Sequence, residues 1–577
     1  MKFIYRYVKP YLALSIFGIT VKFLGTIAEL ILPSLLATIL DDIAPTGNVR
    51  NVLLCGAGMT LCALITISFN IIANRTAAKV ALHSALKIRH DLFERIQQLS
   101  CTKADKVTIA SLEARLTSDT YNLHNFIGRI QKIGVRAPIL LLGGIIVTMF
   151  LDPVLAGVLV CTLPFIAAVV AVISKRGVGL YDKLQNSVDG LVRVVRENSL
   201  GVRVIKALSK TDYEKKRFEK VNREVSERER KASLVMGLSD PSIKLFLNLG
   251  LSAVIIVGAY RVDKGVCEPG KIIAFMTYFT MISNALLAVT RVFTLTARGI
   301  ASADRISEIV DTKDGIDKMY YAVKAENDTK KQNDGAYLEF KDVSFSYIKG
   351  KRTLENISFK LEKGQSLGII GATGSGKTTL LSLLFRFYEP DSGKILLDGQ
   401  DILSYERKEY RSKFGAALQN DFVFEGSVRD NIRFGRSIDD SSIIKALKCA
   451  QGYDFVSALD GGLDYTLSAK GTNVSGGQRQ RLLVARALAA DPDILVLDDA
   501  SSALDYKTDA KMRKAIRNEY GKNTTLITVA QRISSVKDAD LVIVLEKGRI
   551  AGIGKHKELM QSCEIYRSIA YTQMGGD

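Results

Sequence analysis

Long runs of apolar residues dominate the first half of the chain. Six of these runs approach 20 residues or more, the length that an α-helix needs to cross about 30 Å of hydrocarbon. The predicted spans are centred on residues 11–40, 51–73, 130–150, 154–174, 241–260 and 271–295. The pattern therefore predicts an all-α membrane domain of six helices within residues 1–310.

Several predicted spans continue into charged sequence without losing the helical pattern. After Ile72, the stretch NRTAAKVALHSALKIRHDLFERIQQL keeps apolar residues at helical spacing well beyond bilayer length. Residues 175–240 behave in the same way between the fourth and fifth spans. We therefore expect two long helical hairpins to project from one side of the membrane.

The second half of the chain contains shorter apolar runs. Residues 311–336 are polar and weakly periodic, which predicts a linker. From residue 337 to 577, strand-like runs such as SLGIIG, ILVLDD and TTLITVA alternate with helical segments. This alternation predicts an α/β domain. The predicted fold is a membrane all-α domain with long helical extensions, followed by an α/β domain.

The positive charge of the chain agrees with a membrane protein. The 577 residues carry a net charge of +19, which could indicate a nucleic-acid partner. The basic residues, however, concentrate beside the apolar runs, so a solvated cytoplasmic face is favoured and no nucleic acid is expected. The loops 41–50, 151–153 and 261–270 carry few cations. The positive-inside rule then predicts cytoplasmic extensions, N-terminus and C-terminus. The expected location is the plasma membrane.

Cysteine usage and the first residues add two smaller expectations. The seven cysteines are scattered and form no CxxC pair, so neither a disulfide framework nor a metal site is indicated. The opening residues MKFIYRYVKP precede a long apolar run without a small-residue cleavage site. They predict a retained cytoplasmic end and not a signal peptide.

A phosphate-binding motif follows one predicted strand and precedes a helix. Its candidate ATP-binding residues are Gly371, Ala372, Thr373, Gly374, Ser375, Gly376, Lys377, Thr378 and Thr379. Glycines let backbone N–H groups turn towards phosphate oxygens, Lys377 should reach the β and γ phosphates, and Thr378 should bind Mg²⁺. A later apolar strand ends at Asp498, where a carboxylate can hold the metal. ATP and Mg²⁺ are the expected cofactors, and a chance glycine-rich loop is disfavoured by this context.

A second candidate anion site lies in the stretch GTNVSGGQRQ. Its residues Ser475, Gly476, Gly477 and Gln478 begin a predicted helix. A helix N-terminus offers backbone donors and a positive dipole to an anion. Because the first motif already serves the chain's own ATP, this segment would contact the ATP of a partner chain. The simplest arrangement is a head-to-tail pair.

Together these motifs and spans resemble a half-transporter of the ATP-binding cassette (ABC) exporter family over essentially the full length. The resemblance implies that the α/β domain is an ABC-type ATPase, that Tyr347 stacks on adenine and that Asp505 contacts the partner. The implied metal-binding residues are Thr378, Gln419 and Asp498. The alternatives are an ordinary strand aromatic at Tyr347 and a solvated loop residue at Gln419. The hairpin tips, placed near 115–125 and 208–218 by periodicity, would be coupling helices.

Two candidate catalytic residues depart from the family pattern. A Glu normally follows the metal-binding Asp, and a later His contacts the γ-phosphate, but this chain has Asp499 and Gln531. Asp499 is one methylene shorter than Glu and should stand about 1.5 Å farther from the attacking water, where about 1 Å can cost a hundredfold in rate. Gln531 can donate a hydrogen bond but cannot become cationic. A hydrolytically weak site is predicted, and a slow but active site with tolerated variants is the alternative.

The signature segment, in contrast, differs from the usual pattern only at Val474, where Leu is commoner. A weak catalytic site beside an intact signature predicts the degenerate-site subunit of a heterodimer. The partner would be a second ABC half-transporter that supplies the missing Glu and His. A slow homodimeric exporter remains the alternative.

The predicted spans contain charges spaced seven residues apart. The pairs are Lys22 and Glu29, Arg129 and Arg136, and Arg291 and Arg298. They could line a polar path for substrate, but snorkelling or structural pairing is favoured. By resemblance, the expected cargo is a small amphipathic molecule, drug-like or lipid-like. The rival hypotheses are an importer of small chelates, a soluble ATPase acting on nucleic acid, and a membrane-bound ATP sensor.

Overall fold

The computed structural model of the protein describes residues 1–312, 335–348, 350–419, 421–521 and 523–574. Two compact units divide the chain. The helical unit contains Met1–Gln98 and Thr108–Thr312, and the α/β unit contains the C-terminal half together with the short segment Leu99–Val107. Most of the predicted linker at 311–336 lies outside the described residues.

Six helical stretches in the described part of the chain are long and apolar enough to cross a membrane. They are Lys2–Thr46, Val49–Gln98, Ile109–Leu151, Pro153–Leu200, Thr211–Asp263 and Pro269–Val310. Each predicted span lies inside one of these stretches, so the prediction of six membrane helices is confirmed. The stretches run to between 42 and 53 residues. At 1.5 Å per residue they exceed the hydrocarbon thickness about twofold, as helical extensions require.

The helical unit and its connecting segment are built from helices of very different length. The α-helices are Lys2–Val8, Leu12–Thr38, Val49–Gln98, Cys101–Lys106, Ile109–Ala114, Thr120–Leu151, Pro153–Leu200, Val202–Ala207, Thr211–Gly237, Ser239–Asp263 and Pro269–Val310. Short 3₁₀ turns occur at Lys9–Tyr11 and Ala44–Thr46, and π-helical turns at Ile39–Ile43 and Arg115–Asp119.

The tips of the two hairpins lie earlier in the chain than periodicity indicated. The first tip is the short helix Cys101–Lys106, and the second is Val202–Ala207. Residues 115–125 are instead the continuous helical return of the first hairpin, so that prediction was wrong. The cause is local, because the chain leaves the helix through Ser100 in an extended conformation and through Thr108 at φ 37°, and no glycine or proline marks either position.

Charged side chains in the spans pair between helices. Arg136 donates to both carboxylate oxygens of Glu29, at 3.2 and 2.5 Å. The ammonium of Lys22, which is only 4% exposed, donates to the Asn70 side chain at 2.5 Å. These contacts support structural pairing for Lys22, Glu29 and Arg136. The remaining span arginines, Arg129, Arg291 and Arg298, are exposed.

The short loops of the helical unit are held by acidic side chains. Asp152 accepts hydrogen bonds from the backbone of Val154 and Leu155, at 2.9 and 3.1 Å, and thereby caps the helix Pro153–Leu200. The same carboxylate accepts from the Arg261 guanidinium at 3.0 to 3.2 Å. It therefore joins the loop at 151–153 to the end of the helix Ser239–Asp263.

The α/β unit contains three sheets in its described residues. Its strands are β1 (Leu338–Phe345), β2 (Leu354–Leu361), β3 (Ser366–Ile370), β4 (Ser392–Leu397), β5 (Gln400–Asp401), β6 (Phe414–Ala417), β7 (Gly426–Ser427), β8 (Thr466–Leu467), β9 (Ile494–Asp498), β10 (Thr525–Val529), β11 (Leu541–Glu546) and β12 (Arg549–Gly554). The central sheet has the order β12-β11-β3-β10-β9-β6, in which only β12 is antiparallel to its neighbour.

An antiparallel sheet of order β2-β1-β4-β5 and the small pair β7-β8 complete the strands of this unit. Its α-helices are Lys377–Leu384, Arg407–Ser412, Val428–Arg433, Asp440–Cys449, Tyr453–Ser457, Gly476–Leu488, Tyr506–Tyr520, Ile533–Val536, His556–Ser562 and Glu564–Met574. The apolar runs predicted to be strands, including SLGIIG, ILVLDD and TTLITVA, are β3, β9 and β10. The predicted α/β architecture is therefore confirmed.

Candidate functional site

The site lies at one edge of the central sheet, where three neighbouring parallel strands end. β10 pairs with β3 on one side and β9 on the other, so that Val529 is opposite both Ile369 and Asp498. Open parallel sheets bind ligands at the carboxyl ends of their strands. The segments that follow these strands contain the phosphate-binding motif, Asp499 and Gln531.

One cavity at this edge brings most of the predicted residues together. It is lined by Thr353, Thr373, Gly374, Gly376, Lys377, Thr378, Thr379, Gln419, Asp498, Asp499, Val529, Ala530 and Gln531. The remaining motif residues Gly371, Ala372 and Ser375 line an adjoining cavity that also includes Thr373, Gly374 and Gln531. Residues separated by up to 178 positions in the chain thus converge on one site.

The phosphate-binding loop requires glycine at specific positions. Gly374 and Gly376 have φ of 83° and 106°, in the left-handed region that other residues rarely adopt. At Gly371, a Cβ would lie 2.3 Å from the carbonyl oxygen of Leu545. Gly376 is followed at once by the helix Lys377–Leu384, so the loop directs backbone N–H groups and a helix N-terminus at the same space.

Two side chains of this loop fit a phosphate ligand. The Lys377 ammonium donates to the carbonyl oxygens of Gly371 and Ala372, at 2.8 and 2.9 Å, which places the charge within the loop. Burial lowers the pKa of Lys377, and the nearby Asp498 and Asp499 oppose that effect. The buried hydroxyl of Ser375 has no hydrogen-bond partner among the described residues. An anion in the loop would pair with both groups.

Asp498 is the buried carboxylate of the site. Its side chain is 4% exposed; burial raises its pKa, and the negative charge of Asp499 raises it further. Lys377 and the backbone of Gln419 lower it. Mg²⁺ is held in nucleotide sites by one or two carboxylates together with phosphate oxygens. The described residues contain no cluster of three His, Cys, Asp or Glu side chains, and this smaller set fits a metal that arrives with its nucleotide.

The two non-consensus residues contact each other. The Gln531 side-chain amide donates to Asp499 Oδ2 at 3.1 Å. Asp499 has φ of 52°, and its backbone N–H donates to the Val529 carbonyl at 2.8 Å, so the carboxylate is held on a constrained turn. One oxygen of the candidate base is therefore already occupied by a neutral donor of the same chain.

Two further glutamines, which sequence reasoning missed, hold this pair in place. Gln573 donates to the Gln531 carbonyl at 2.6 Å and accepts from the Ile533 backbone at 2.8 Å. Gln480 donates to the Asp499 carbonyl at 2.9 Å and accepts from the Ala503 backbone at 3.1 Å. Gln480 is only two residues after Gln478 and so lies on a different face of the helix, and no motif marks either Gln480 or Gln573.

The signature residues lie outside the cavity. Ser475 caps the helix Gly476–Leu488, and it exchanges hydrogen bonds with Gln478 at 3.2 and 2.8 Å in a capping box. A Cβ at Gly477 would lie 3.0 Å from the Ala503 carbonyl. The segment is thus the capped start of a helix, in which Ser475 and Gln478 bond each other's backbone.

Asp505 and Tyr347 both have structural contacts. Asp505 caps the helix Tyr506–Tyr520 by accepting from the Thr508 backbone at 2.9 Å, a bond that lowers its pKa. Tyr347 follows β1, is 50% exposed and donates from its hydroxyl to Thr379 Oγ1 at 3.4 Å. Its ring therefore lies beside the phosphate-binding helix with much of its surface free.

Comparisons with known proteins agree with this architecture. Residues 15–286 match the family described as the ABC transporter transmembrane region, and residues 354–502 match the family described as ABC transporter. The uncharacterized ABC transporter ATP-binding protein YfiB of Bacillus subtilis is 31% identical over 99% of this chain and 98% of its own length. A similar ATP-binding protein of Mycobacterium tuberculosis, Rv1273c, is 32% identical over 98% of this chain and 97% of its own length.

The fold also matches a solved structure. A bacterial Atm1-family ABC exporter with ATP bound superimposes with a TM-score of 0.79, over 98% of this chain and 99% of that one, at 22% identity. At this identity the likeness shows the fold alone. Together with the full-length relatives, it completes the assignment. The chain belongs to the ABC transporter family, as a half-transporter in which a six-helix membrane domain is fused to one nucleotide-binding domain.

Proposed function

We propose that this chain is the degenerate-site subunit of a heterodimeric ABC exporter. The exporter moves small amphipathic molecules, drug-like or lipid-like, across the plasma membrane, with both chain termini in the cytoplasm. The observation that carries the proposal is the hydrogen bond from Gln531 to Asp499. A hydrolysing site needs a free carboxylate at the position of Asp499 and a cationic donor at the position of Gln531. Here the carboxylate is hydrogen-bonded and the donor is a neutral amide.

The chain's own site is suited to hold ATP. The backbone donors of the phosphate-binding loop and the Lys377 ammonium bind the phosphates, and Tyr347 supports the base. Thr378, Gln419 and Asp498 hold Mg²⁺. When bound, Mg²⁺ neutralises phosphate charge and orients the phosphate oxygens. Each of these tasks is one of binding, and none requires Asp499 or Gln531 to act.

Hydrolysis at the same site is weak for a reason of geometry. A positioned general base contributes about 10² to 10⁴ in rate. Asp499 is short, lies on a constrained turn and shares one oxygen with the Gln531 amide. The neutral amide cannot give a developing charge the support of an imidazolium. ATP therefore stays bound for long periods and turns over slowly.

Turnover occurs in the other site of the pair. The helix start formed by Ser475, Gly476, Gly477 and Gln478 donates to the partner's ATP. The partner contributes the Glu and His that this chain lacks. Asp505, whose side chain caps its own helix, lies on the segment that meets the partner. Transport is coupled to hydrolysis in this second site.

The proposal can be tested by restoring the family residues. We expect the double variant Asp499→Glu, Gln531→His to raise hydrolysis at the chain's own site by about 10- to 100-fold. The measurement is the ATPase rate of the heterodimer in a background where the partner's catalytic Glu is replaced by Gln. In that background the unmodified complex should retain two unhydrolysed ATP molecules per heterodimer after gel filtration, one in each site, and the double variant should lower this number towards one.

Three outcomes would contradict the proposal. One is brisk ATPase activity of this chain alone that is stimulated by an amphipathic substrate, which would indicate a competent homodimer. Another is uptake instead of extrusion in inside-out and right-side-out vesicles, which would indicate an importer. The last is ATP binding without movement of any substrate in the presence of the partner, which would indicate a sensor.

A further inference from the structure

A large cavity of the α/β unit is distinct from the nucleotide site. It has a volume of about 590 Å³ and lies between the helix Tyr506–Tyr520, the central sheet and the segment 534–540. It shares no lining residue with the two cavities around the phosphate-binding loop. Pockets that hold small organic ligands have volumes in this range. The α/β unit therefore offers a second, separate space of ligand size.

The cavity is mainly apolar where it meets the sheet. In the paired strands β9 and β10, Leu526 lies opposite Leu495 and Thr528 lies opposite Leu497. Alternate residues of a strand share a face, so these four side chains lie on the same face of the sheet, and all four residues line the cavity. Ile516 lines it from the helix. This inner wall favours a ligand with an apolar body.

The charged side chains that line the cavity are mostly cationic. Cations outnumber carboxylates four to two, the residues being Arg513, Lys514, Arg517 and Lys537 against Asp538 and Asp540. Asp540 already accepts hydrogen bonds from the Ser366 backbone and hydroxyl, at 2.8 and 2.7 Å. Three of the four cations lie within five positions of the helix Tyr506–Tyr520. Cations concentrated at one cavity attract and orient an anionic group.

Two buried polar atoms of lining residues have no hydrogen-bond partner among the described residues. They are Arg513 Nε and Ser535 Oγ. The other nitrogens of Arg513 are engaged, since one donates to the Ser534 carbonyl and the other lies 3.0 Å from an Asp509 carboxylate oxygen. An unpaired buried donor is unfavourable, and a charged acceptor placed beside it relieves that cost. Both atoms therefore fit the polar end of a ligand.

We propose that this cavity binds a small amphipathic anion. The apolar body of the ligand packs against the leucines of β9 and β10, and its carboxylate pairs with Arg513, Lys514 and Arg517. A neutral or cationic amphiphile fits the apolar wall equally well but gains nothing from these cations, so charge is the property that selects the ligand. The site goes beyond the proposed function and does not depend on it, because its lining residues take no part in nucleotide binding.

The bound anion would join two elements of the α/β unit. Tyr506 at the start of the helix and Ser534 also line a neighbouring cavity that contains Asp499 and Gln531. The Arg532 guanidinium lies over the Tyr506 ring, 4.8 Å from its centre. A ligand that contacts both the helix and the segment 534–540 holds them together. Its occupancy should therefore reduce local opening of the segment that follows Gln531.

A titration with 2-naphthoate tests the site. This probe has a rigid apolar body and one carboxylate, and saturation-transfer NMR measures its binding to the full chain in phosphatidylcholine nanodiscs, with empty nanodiscs subtracted. We expect saturable binding that an excess of MgATP does not displace. The cation 2-naphthylmethylammonium has the same rings and should bind at least about tenfold more weakly. Absence of saturable binding, displacement by MgATP or equal affinity for the two probes would overturn the proposal.

Matched variants show whether the probe lies in this cavity. Lys514→Gln combined with Arg517→Gln removes two exposed cations and should weaken 2-naphthoate binding about tenfold. The control is Lys511→Gln, an exposed position of the same helix that does not line the cavity, and it should bind the probe like the unmodified chain. Ala510→Phe adds an aromatic ring at an exposed lining position and should abolish binding without removing any charge.

Hydrogen–deuterium exchange gives a second measurement of the same site. Saturating 2-naphthoate should slow exchange of the amides in residues 534–540 at least about twofold and leave the helix Asp440–Cys449 unchanged. If the double variant melts at the same temperature as the unmodified chain and keeps full affinity for 2-naphthoate, the cavity is not the site and the proposal is wrong. Failure of the chain to bind ATP would contradict the proposed function but would leave 2-naphthoate binding intact.

Discussion

At the scale of single residues, the hydrogen bond between Asp499 and Gln531 is more informative than either substitution alone. Each alone is a modest change from the family pattern. Because the Gln531 amide donates to Asp499, an uncharged donor occupies one oxygen of the carboxylate at the position where the family pattern has a His. The sequence could show both substitutions, but their hydrogen bond depends on β9 and β10 being neighbours, which only the fold establishes.

Asp498 leads to a prediction about stability. Burial and the charge of Asp499 raise its pKa in the folded protein. A carboxyl with a raised pKa destabilises the folded state at neutral pH, and the penalty vanishes as the group is protonated at low pH. We expect Asp498→Asn to raise the melting temperature of the nucleotide-free protein at neutral pH by about 2–4 °C, the effect of about 1 kcal/mol in a domain of this size.

Thermal unfolding with and without MgATP measures the stability of the nucleotide-free protein and its stabilisation by MgATP. The stability advantage of Asp498→Asn should shrink as the pH falls, and the stabilisation by MgATP should be lost because the metal has no carboxylate. If the stability advantage of Asp498→Asn grew on acidification, the pKa of Asp498 would not be raised in the folded protein. If MgATP stabilised Asp498→Asn fully, Asp498 would not be a metal ligand.

At the scale of elements, the membrane helices were predictable and their turns were not. A span must be about 20 apolar residues long, so the apolar runs located all six. The tip Cys101–Lys106 interrupts an otherwise helical pattern within the segment SCTKADK, which contains no Gly, Pro or Asn to mark a turn. Its boundary residue Thr108 adopts φ of 37° without a glycine or asparagine to mark it. Periodicity therefore placed the tip too late in the chain.

The C-terminal helix Glu564–Met574 gives a prediction at this scale. Gln573 bonds the backbone on both sides of Arg532, through Gln531 O and Ile533 N. Gln573→Ala removes both bonds and should loosen the segment that carries Gln531. We expect ATP to leave this chain's own site about three- to tenfold faster, because each hydrogen bond contributes about 1 kcal/mol.

Release of a fluorescent ATP analogue after dilution measures the effect. Thr572→Ala is the matched control, since among the described residues its hydroxyl bonds Ser568 O within the same helix, at 2.8 Å. Equal release rates for Gln573→Ala and the unmodified chain would show that the C-terminal helix does not support the site.

At the scale of the whole molecule, the chain joins a membrane half to an ATPase half, and the motifs were sufficient to predict both. The glycine-rich loop, Asp498 and the signature each follow a local rule of spacing. Gln480, Gln573 and the hydrogen bond from Tyr388 to Asp105 follow none, because their partners lie 19 to 283 positions away. Long-range contacts of single side chains leave no pattern in one sequence.

Orientation in the membrane gives a prediction for the whole molecule. The positive-inside rule places the loop 41–50 outside the cell and the second hairpin inside. In a cysteine-free background, a membrane-impermeant maleimide should label Thr46→Cys in intact cells and Lys210→Cys only after permeabilisation. Both positions are exposed in the structure, so the result depends on which side of the membrane the residue lies and not on its burial in the protein. The opposite labelling pattern would reverse the topology.

Gln480 has a consequence for how such a chain can change over evolutionary time. Its side chain bonds the Asp499 carbonyl and the Ala503 backbone from the helix that begins with the signature. In a pair of the proposed kind, slow hydrolysis relaxes selection on the Asp499 side chain. The backbone at this position still bonds the helix that, in the proposed pair, would contact the other subunit's ATP. The identity of residue 499 can therefore change over time. The main-chain conformation at this position stays under selection, because the function of the partner subunit depends on it.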